Sequence, residues 1–325
     1  MSKRERLCLC LLAAFLMTTA ASFSRGQDGD FVRGMNAVAV NEMAKPKVAD
    51  WHVFLVAVKD YNEDISPVRY TDADVQALYN RFVSLNVPPE NITILSKTQT
   101  AHNYYPEKSN ILAQFRKFLS QLDSKSIAFV YFSGHGFNEK VDGKEKSFFA
   151  PIDFDRSSPK HSEMAICLND DILAELAASA APFSWLCVDA CCSYIGTRGD
   201  MDSGLQFSMS NIPEDVLFQQ SCADGEPAYE GVNPTVVQRK KLGIDPTNPD
   251  FQHGLFTKSL LEALDVENPR ADQNVDGIVT LSEVLGYVER NVNEDAMKYH
   301  NRRQTPRHKV SDAKKIDDYI LLPEV

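Results

Sequence analysis

Two short apolar runs constrain this chain most. Ile127-Ala128-Phe129-Val130-Tyr131-Phe132 and Trp185-Leu186-Cys187-Val188 carry no charged residue, so each reads as a strand buried on both faces. Such strands belong to the interior of a mostly parallel sheet flanked by helices on both faces, an α/β class. The surrounding sequence supplies the other layers. Val53–Val58, Asn91–Leu95 and Asp215–Gln220 read as further strands, and Phe148–Ile152 as a short hairpin arm. Helices are expected over Asp72 to about Leu85 with Thr71 as cap, from Ser109 to Leu122, and over Asp170–Ala178, Phe256–Leu264 and Leu281–Met297. The segments 198–211 and 223–250, rich in Gly, Pro, Ser and Asn, read as long loops.

The residues just beyond the two runs carry the chemistry. The first run continues into Ser133-Gly134-His135-Gly136 and the second into Asp189-Ala190-Cys191-Cys192-Ser193. The carboxyl ends of parallel strands line one edge of a sheet, where ligands and catalytic groups gather, so residues 56 positions apart can meet there. A thiol attacks as thiolate, and a neighbouring imidazole is the usual base that makes one. The pair argues for a cysteine hydrolase, and most simply for a peptidase.

The N-terminus stands apart. Lys3, Arg4 and Arg6 precede an apolar stretch from Leu7 to Ala21, followed by small residues up to Ser24. This is the layout of a secretory signal peptide, expected over residues 1–24, with 25–50 as a linker and 51–325 as the folded domain. Export to a secreted or periplasmic location follows, with no membrane segment after signal removal. The leader carries +2 (three basic residues against Glu5), so the chain total of −11 becomes −13 without it. Arg239-Lys240-Lys241 is the longest basic run, which excludes a nucleic-acid footprint, and the acidity suits basic partners. Of seven cysteines, five lie beyond the leader, an odd number with no C-x-x-C pair. That is neither a disulfide framework nor a zinc site.

The Ser-Gly-His-Gly and Asp-Ala-Cys-x-Ser stretches together resemble the caspase-like cysteine peptidases, metacaspases and their bacterial relatives in particular. Tyr70-Thr71-Asp72-Ala73-Asp74, His253-Gly254-Leu255-Phe256-Thr257 and Gln304-Thr305-Pro306 extend the likeness over roughly residues 51 to 310. The resemblance implies a large-subunit-like part over 51–200 and a small-subunit-like part over 212–325. It implies Cys191 as nucleophile, His135 as base, and the backbone N–H groups of Gly136 and Cys191 as oxyanion donors. It places the acidic pocket for the substrate residue before the cut on Asp74 and Asp189, with Ser133 nearby. A carboxylate at 189, where caspases carry Gln, attracts a guanidinium and repels an acid. The expected partner is therefore a protein or peptide substrate with Arg or Lys at the cleavage site. Arg198 and Arg239-Lys240-Lys241 then become candidate self-processing sites. The family's D-x-C-H-S-G motif is not fully kept: Cys192 stands for its His and Tyr194 for its Gly, which creates a second candidate thiol and alters the loop lining the cleft. Arg69 is the one basic residue placed to favour an acidic substrate instead.

One motif lies outside this chemistry. Asp272-Gln273-Asn274-Val275-Asp276-Gly277 followed by Glu283 matches an EF-hand loop, with Asp272, Asn274, Asp276 and Glu283 as side-chain ligands of Ca2+ and Ile278 as the carbonyl ligand. Thr280-Leu281-Ser282-Glu283 reads equally as a capping box. Catalysis itself needs no cofactor. Two alternative readings remain: a catalytically inactive relative acting as a binding or scaffold protein, and an extracellular calcium-binding interaction protein.

Overall fold

The apolar runs form the centre of a sheet in the computed structural model of the chain, which describes residues 50–61, 65–191, 212–223, 225–231, 251–265, 267–310 and 320–322. The strands are β1 (Trp51–Ala57), β2 (Ile92–Leu95), β3 (Ile127–Val141), β4 (Lys144–Phe149), β5 (Ile166–Cys167), β6 (Phe183–Cys191), β7 (Val216–Gln220), β8 (Val279–Thr280), β9 (Arg307–Lys309) and β10 (Ile320–Leu322). The main sheet runs β2-β1-β3-β6-β7-β9, parallel from β2 to β7 and closed by antiparallel β9. Chain order reverses at β1, which has β2 on one side and β3 on the other. That reversal opens a crevice at the carboxyl ends of the strands.

Side-chain alternation sorts the strands onto two cores. Val53, Leu55, Phe129, Tyr131, Trp185 and Cys187 face helices α1 (Thr71–Ser84), α5 (Leu255–Ala263) and α6 (Leu281–His300). Phe54, Val56, Val130, Phe132, Leu186 and Val188 face α2 (Lys108–Leu119) and the helical stretch Leu168–Ala177. The central strands are buried on both sides, as their lack of a polar face requires. Among the described residues no helix is long and apolar enough to cross a membrane.

Several local expectations are corrected. The first apolar run does not end at Phe132: β3 continues for 15 residues, through His135, into a hairpin with β4. Asp142 and Gly143 turn that hairpin with φ of 52° and 78°, the two left-handed residues a type I′ turn demands. The arm closes over its own small core of Phe137, Phe148, Phe154 and Ala165. Neither expected cap holds. Helix α1 includes Thr71 and starts from Tyr70, with no side-chain cap bond. Helix α2 starts one residue before Ser109, and the Lys108 N–H is taken by Asp153 at 2.9 Å. The stretch 168–177 is wound wide over Leu168–Leu173 and becomes α-helical only at α4 (Ala174–Ala177), after the single turn α3 (His161–Met164). The signal peptide, nearly all of the linker, Cys192, Tyr194, Arg198 and Arg239-Lys240-Lys241 lie outside the described residues.

Candidate active site

Strand pairing decides where the two chemical residues stand. In the parallel β3/β6 ladder, Ser133 is the register partner of Asp189 and His135 of Cys191. Neighbouring strands lie about 4.8 Å apart, so the backbones of His135 and Cys191 are adjacent at one level of the sheet edge. By alternation His135 follows the parity of Tyr131 and Ser133.

His135 is held from two sides. Its backbone N–H donates to the Tyr61 hydroxyl at 2.7 Å, and the Tyr61 ring packs 4.9 Å from the imidazole. Gly134 makes room for that tyrosine, since a Cβ there would stand 2.6 Å from the Tyr61 oxygen. The ring Nε2 lies 2.8 Å from the Ser66 carbonyl oxygen. A carbonyl only accepts, so Nε2 carries the proton and the lone pair of the neutral ring is on Nδ1. Burial lowers the His135 pKa, with the Ser66 carbonyl opposing, which keeps the ring neutral near pH 7 and its Nδ1 lone pair available. Gly136 is buried beside it, paired in register with Phe149.

A second group of residues lies on the same edge. Asp74, in the first turn of α1, is 2% exposed. Its Oδ1 accepts from His253 Nδ1 at 2.8 Å and from the Gly254 N–H at 3.3 Å. Burial, with the nearby Asp189 charge adding to it against the His253 bond, raises its pKa to about 7. Asp189 retains partial exposure, and its Oδ2 accepts from Thr257 at 3.0 Å and lies 3.4 Å from the Tyr131 hydroxyl. Burial raises its pKa to about 6. Tyr131 and Thr257 join each other at 2.6 Å, so the hydroxyls behind Asp189 form one connected set. Glu230 adds a third carboxylate, accepting the backbone N–H groups of Arg69 and Tyr70, and burial raises its pKa as well. Among the described residues neither Asp74 nor Asp189 is ion-paired with a lysine or arginine; the single pairing is Asp74 with His253. Ser133, expected near this pocket, is 3% exposed and gives its carbonyl to the Val58 N–H. Arg69 is exposed, with its charge toward Glu230.

Sequence reading brings His135, Gly136, Cys191, Asp74, Ser133 and Asp189 to this edge. It misses Tyr61, Ser66, Tyr131, Glu230 and Thr257 as participants. Tyr131 was the legible one: a hydroxyl inside an otherwise apolar run must find a partner.

The Asp272–Glu283 loop lies elsewhere. Asp272 accepts the N–H groups of Asp276 and Gly277, Asn274 Oδ1 accepts that of Asp276, and Asp276 Oδ1 that of Ile278. Glu283 closes the capping box with Thr280 and also accepts the Gln273 N–H. The donors are all oxygens, as calcium requires, but Glu283 would have to leave its cap to ligate. Among the described residues no three His, Cys, Asp or Glu side chains are grouped to hold a metal.

A family model for the caspase domain matches residues 52–316, the greater part of the chain. The chain belongs to the caspase-domain family. Among solved structures, the fold is similar to that of caspase-1 from Spodoptera frugiperda, with a TM-score of 0.51 at 13% identity, covering 82% of this chain and 88% of that one. Nothing among curated protein sequences matches. The family is one of cysteine peptidases, and this caspase-family domain carries its mostly parallel sheet flanked by helices.

Proposed function

We propose that this protein is an exported cysteine endopeptidase that uses a Cys191/His135 dyad and cleaves after Arg or Lys. The observation that carries the catalytic half is the cross-strand register of His135 with Cys191. His135 Nδ1 takes the thiol proton, Cys191 sulfur attacks the scissile carbonyl, and the imidazolium returns the proton to the leaving amine. Water then hydrolyses the acyl-enzyme and restores the thiol. The oxyanion falls to the backbone N–H groups of Gly136 and Cys191 by family resemblance.

The specificity half rests on charge. Two largely buried carboxyls without a lysine or arginine partner among the described residues, with a third carboxylate beside them, are costly to ionise alone. A guanidinium or ammonium entering between them supplies the missing charge, whereas an acidic side chain adds repulsion. Arg69 is exposed, and among the described residues it makes no ion pair with either aspartate. The N-terminal basic-then-apolar layout supports export.

A peptidyl-Arg probe that alkylates the active-site thiol tests both halves. It should label the wild type, fail on Cys191→Ala, and outpace the matched peptidyl-Asp probe by at least tenfold. A folded wild type that resists labelling would instead support an inactive binding protein.

A further inference from the structure

Gly254 is the N-cap of α5, at φ −57° and ψ 144°. Any residue adopts that backbone, and helix N-caps favour Ser, Thr, Asp or Asn. Glycine is itself a good N-cap, level with Thr and just below Ser, Asp and Asn, so neither backbone nor capping singles it out over those four. Space accounts for it. A Cβ built on Gly254 would stand 3.0 Å from Asp189 Oδ2 and 3.6 Å from Asp74 Oδ2. The two carboxylates thus converge on the side of Gly254 where a side chain would be.

Neither carboxylate can yield easily. Asp74 is fixed through Oδ1 by His253 and by the Gly254 N–H itself. Asp189 is fixed through Oδ2 by Thr257, backed by Tyr131. Among the described residues no donor reaches Asp74 Oδ2, the oxygen turned toward the gap. The backbone of Glu230 bridges to Gly254, so the segment that presents the third carboxylate also fixes the position of this glycine.

We propose that Gly254 is a specificity-determining residue: its missing side chain keeps open the space between Asp74 and Asp189 that receives the cationic end of the substrate side chain. The inference rests on the basic-specificity reading above and extends it to a position with no charge of its own. Even a methyl group there would press on Asp189 Oδ2, which would have to give by a few tenths of an ångström, and would narrow the approach to both acids.

The test compares the wild type with Gly254→Ala and Gly254→Ser. Fluorogenic peptides differing only in Arg, Lys or Gln before the cut give kcat and KM separately, and agmatine serves as a small guanidinium probe in thermal melts. Both variants should lose at least tenfold in kcat/KM on the Arg peptide, mostly through KM. Agmatine should raise the midpoint of the wild type and not of the variants. Both variants should still unfold in one cooperative transition, which shows that they are folded. Arg turnover within twofold of the wild type in both folded variants would overturn the role of Gly254 and leave basic specificity standing. A wild type that turns over Gln peptides as well as Arg peptides would overturn the basic reading and this inference together.

Discussion

Replacing Asp74 by asparagine should make the protein more stable and less useful. Asp74 is 2% exposed, and burial holds its pKa at about 7, against roughly 4 in an unfolded chain. Three pKa units correspond to on the order of 4 kcal/mol. The direction follows from where protons bind. Below about pH 4 the carboxyl is protonated in both states and the shift has no effect on stability. Between about pH 4 and 7 the unfolded chain releases its proton while the folded chain keeps it, so stability falls as pH rises. Above about pH 7 the folded protein holds a buried charge and the full penalty applies. Asparagine keeps an oxygen to accept from His253 and the Gly254 N–H, and it never ionises. The variant should therefore melt above the wild type by roughly 5–10 °C at pH 8, taking about 2 °C per kcal/mol for a domain of this size, and the gap should close toward pH 4. The same substitution should remove most of the Arg preference at pH 8, where the wild-type carboxyl is ionised. In the wild type, kcat/KM on an Arg peptide should climb between pH 5 and 8 as the Asp74/Asp189 pair ionises in two steps near 6 and 7. Scanning calorimetry at five pH values, with the peptide panel alongside, measures all of this. A melting difference that does not change with pH would refute the desolvation argument, and an Asp74→Asn variant that still prefers Arg would refute the pocket.

Two further outcomes are expected. Tyr61→Phe leaves the His135 N–H without its 2.7 Å partner, a loss of about 1–3 kcal/mol; kcat should drop about tenfold with the Arg-to-Gln preference unchanged, and an altered preference would mean that Tyr61 belongs to the pocket instead. Calcium binding at Asp272–Glu283 is proposed from the loop pattern: millimolar calcium should raise the melting midpoint, chelator should reverse it and Glu283→Gln abolish it, whereas equal midpoints would leave the loop as a turn and a helix cap.

The fold was legible where burial is two-sided. β1, β3, β6 and β7 announce themselves because a strand covered on both faces carries a mostly apolar run with few polar positions. The extension of β3 past His135 was hidden for the opposite reason: Asn138, Glu139 and Lys140 line an arm that is partly open to water. Its signal was nonetheless present in Val141-Asp142-Gly143-Lys144, since Asp-Gly between extended segments is a hairpin turn. The caps at Thr71 and Ser109 were misplaced because local hydroxyls compete with distant groups that no window contains. Asp153 reaches the N-terminus of α2 from 45 residues away, and Glu230 reaches the N-terminus of α1 from about 160. The site divides in the same way. Asp189 and Cys191 lie at the end of β6, Asp74 at the start of α1 and His135 where β3 leaves its pairing with β6, so they follow from topology. Ser66, Tyr61 and Glu230 come from connecting segments and follow only from coordinates.

On the proposed basic specificity, the pocket should also discriminate between the two basic side chains. A lysine ammonium is a compact, strongly hydrated charge that must leave most of its water to enter a gap between two fixed carboxylates. Arginine presents a planar fork of five donors and is more weakly hydrated, so it gives up less water and can bond both acids at once. Asp74 is held through Oδ1 by His253 and Asp189 through Oδ2 by Thr257 and Tyr131, and Asp74 Oδ2 and Asp189 Oδ2 both face the one glycine. A planar cation fits a fixed gap of that kind better than a tetrahedral one. Because both carboxyls sit near neutrality, the entering charge also expels their protons, and arginine, which cannot surrender its own, drives that exchange to completion. On that proposal kcat/KM should fall from Arg to Lys to any neutral side chain in the peptide panel.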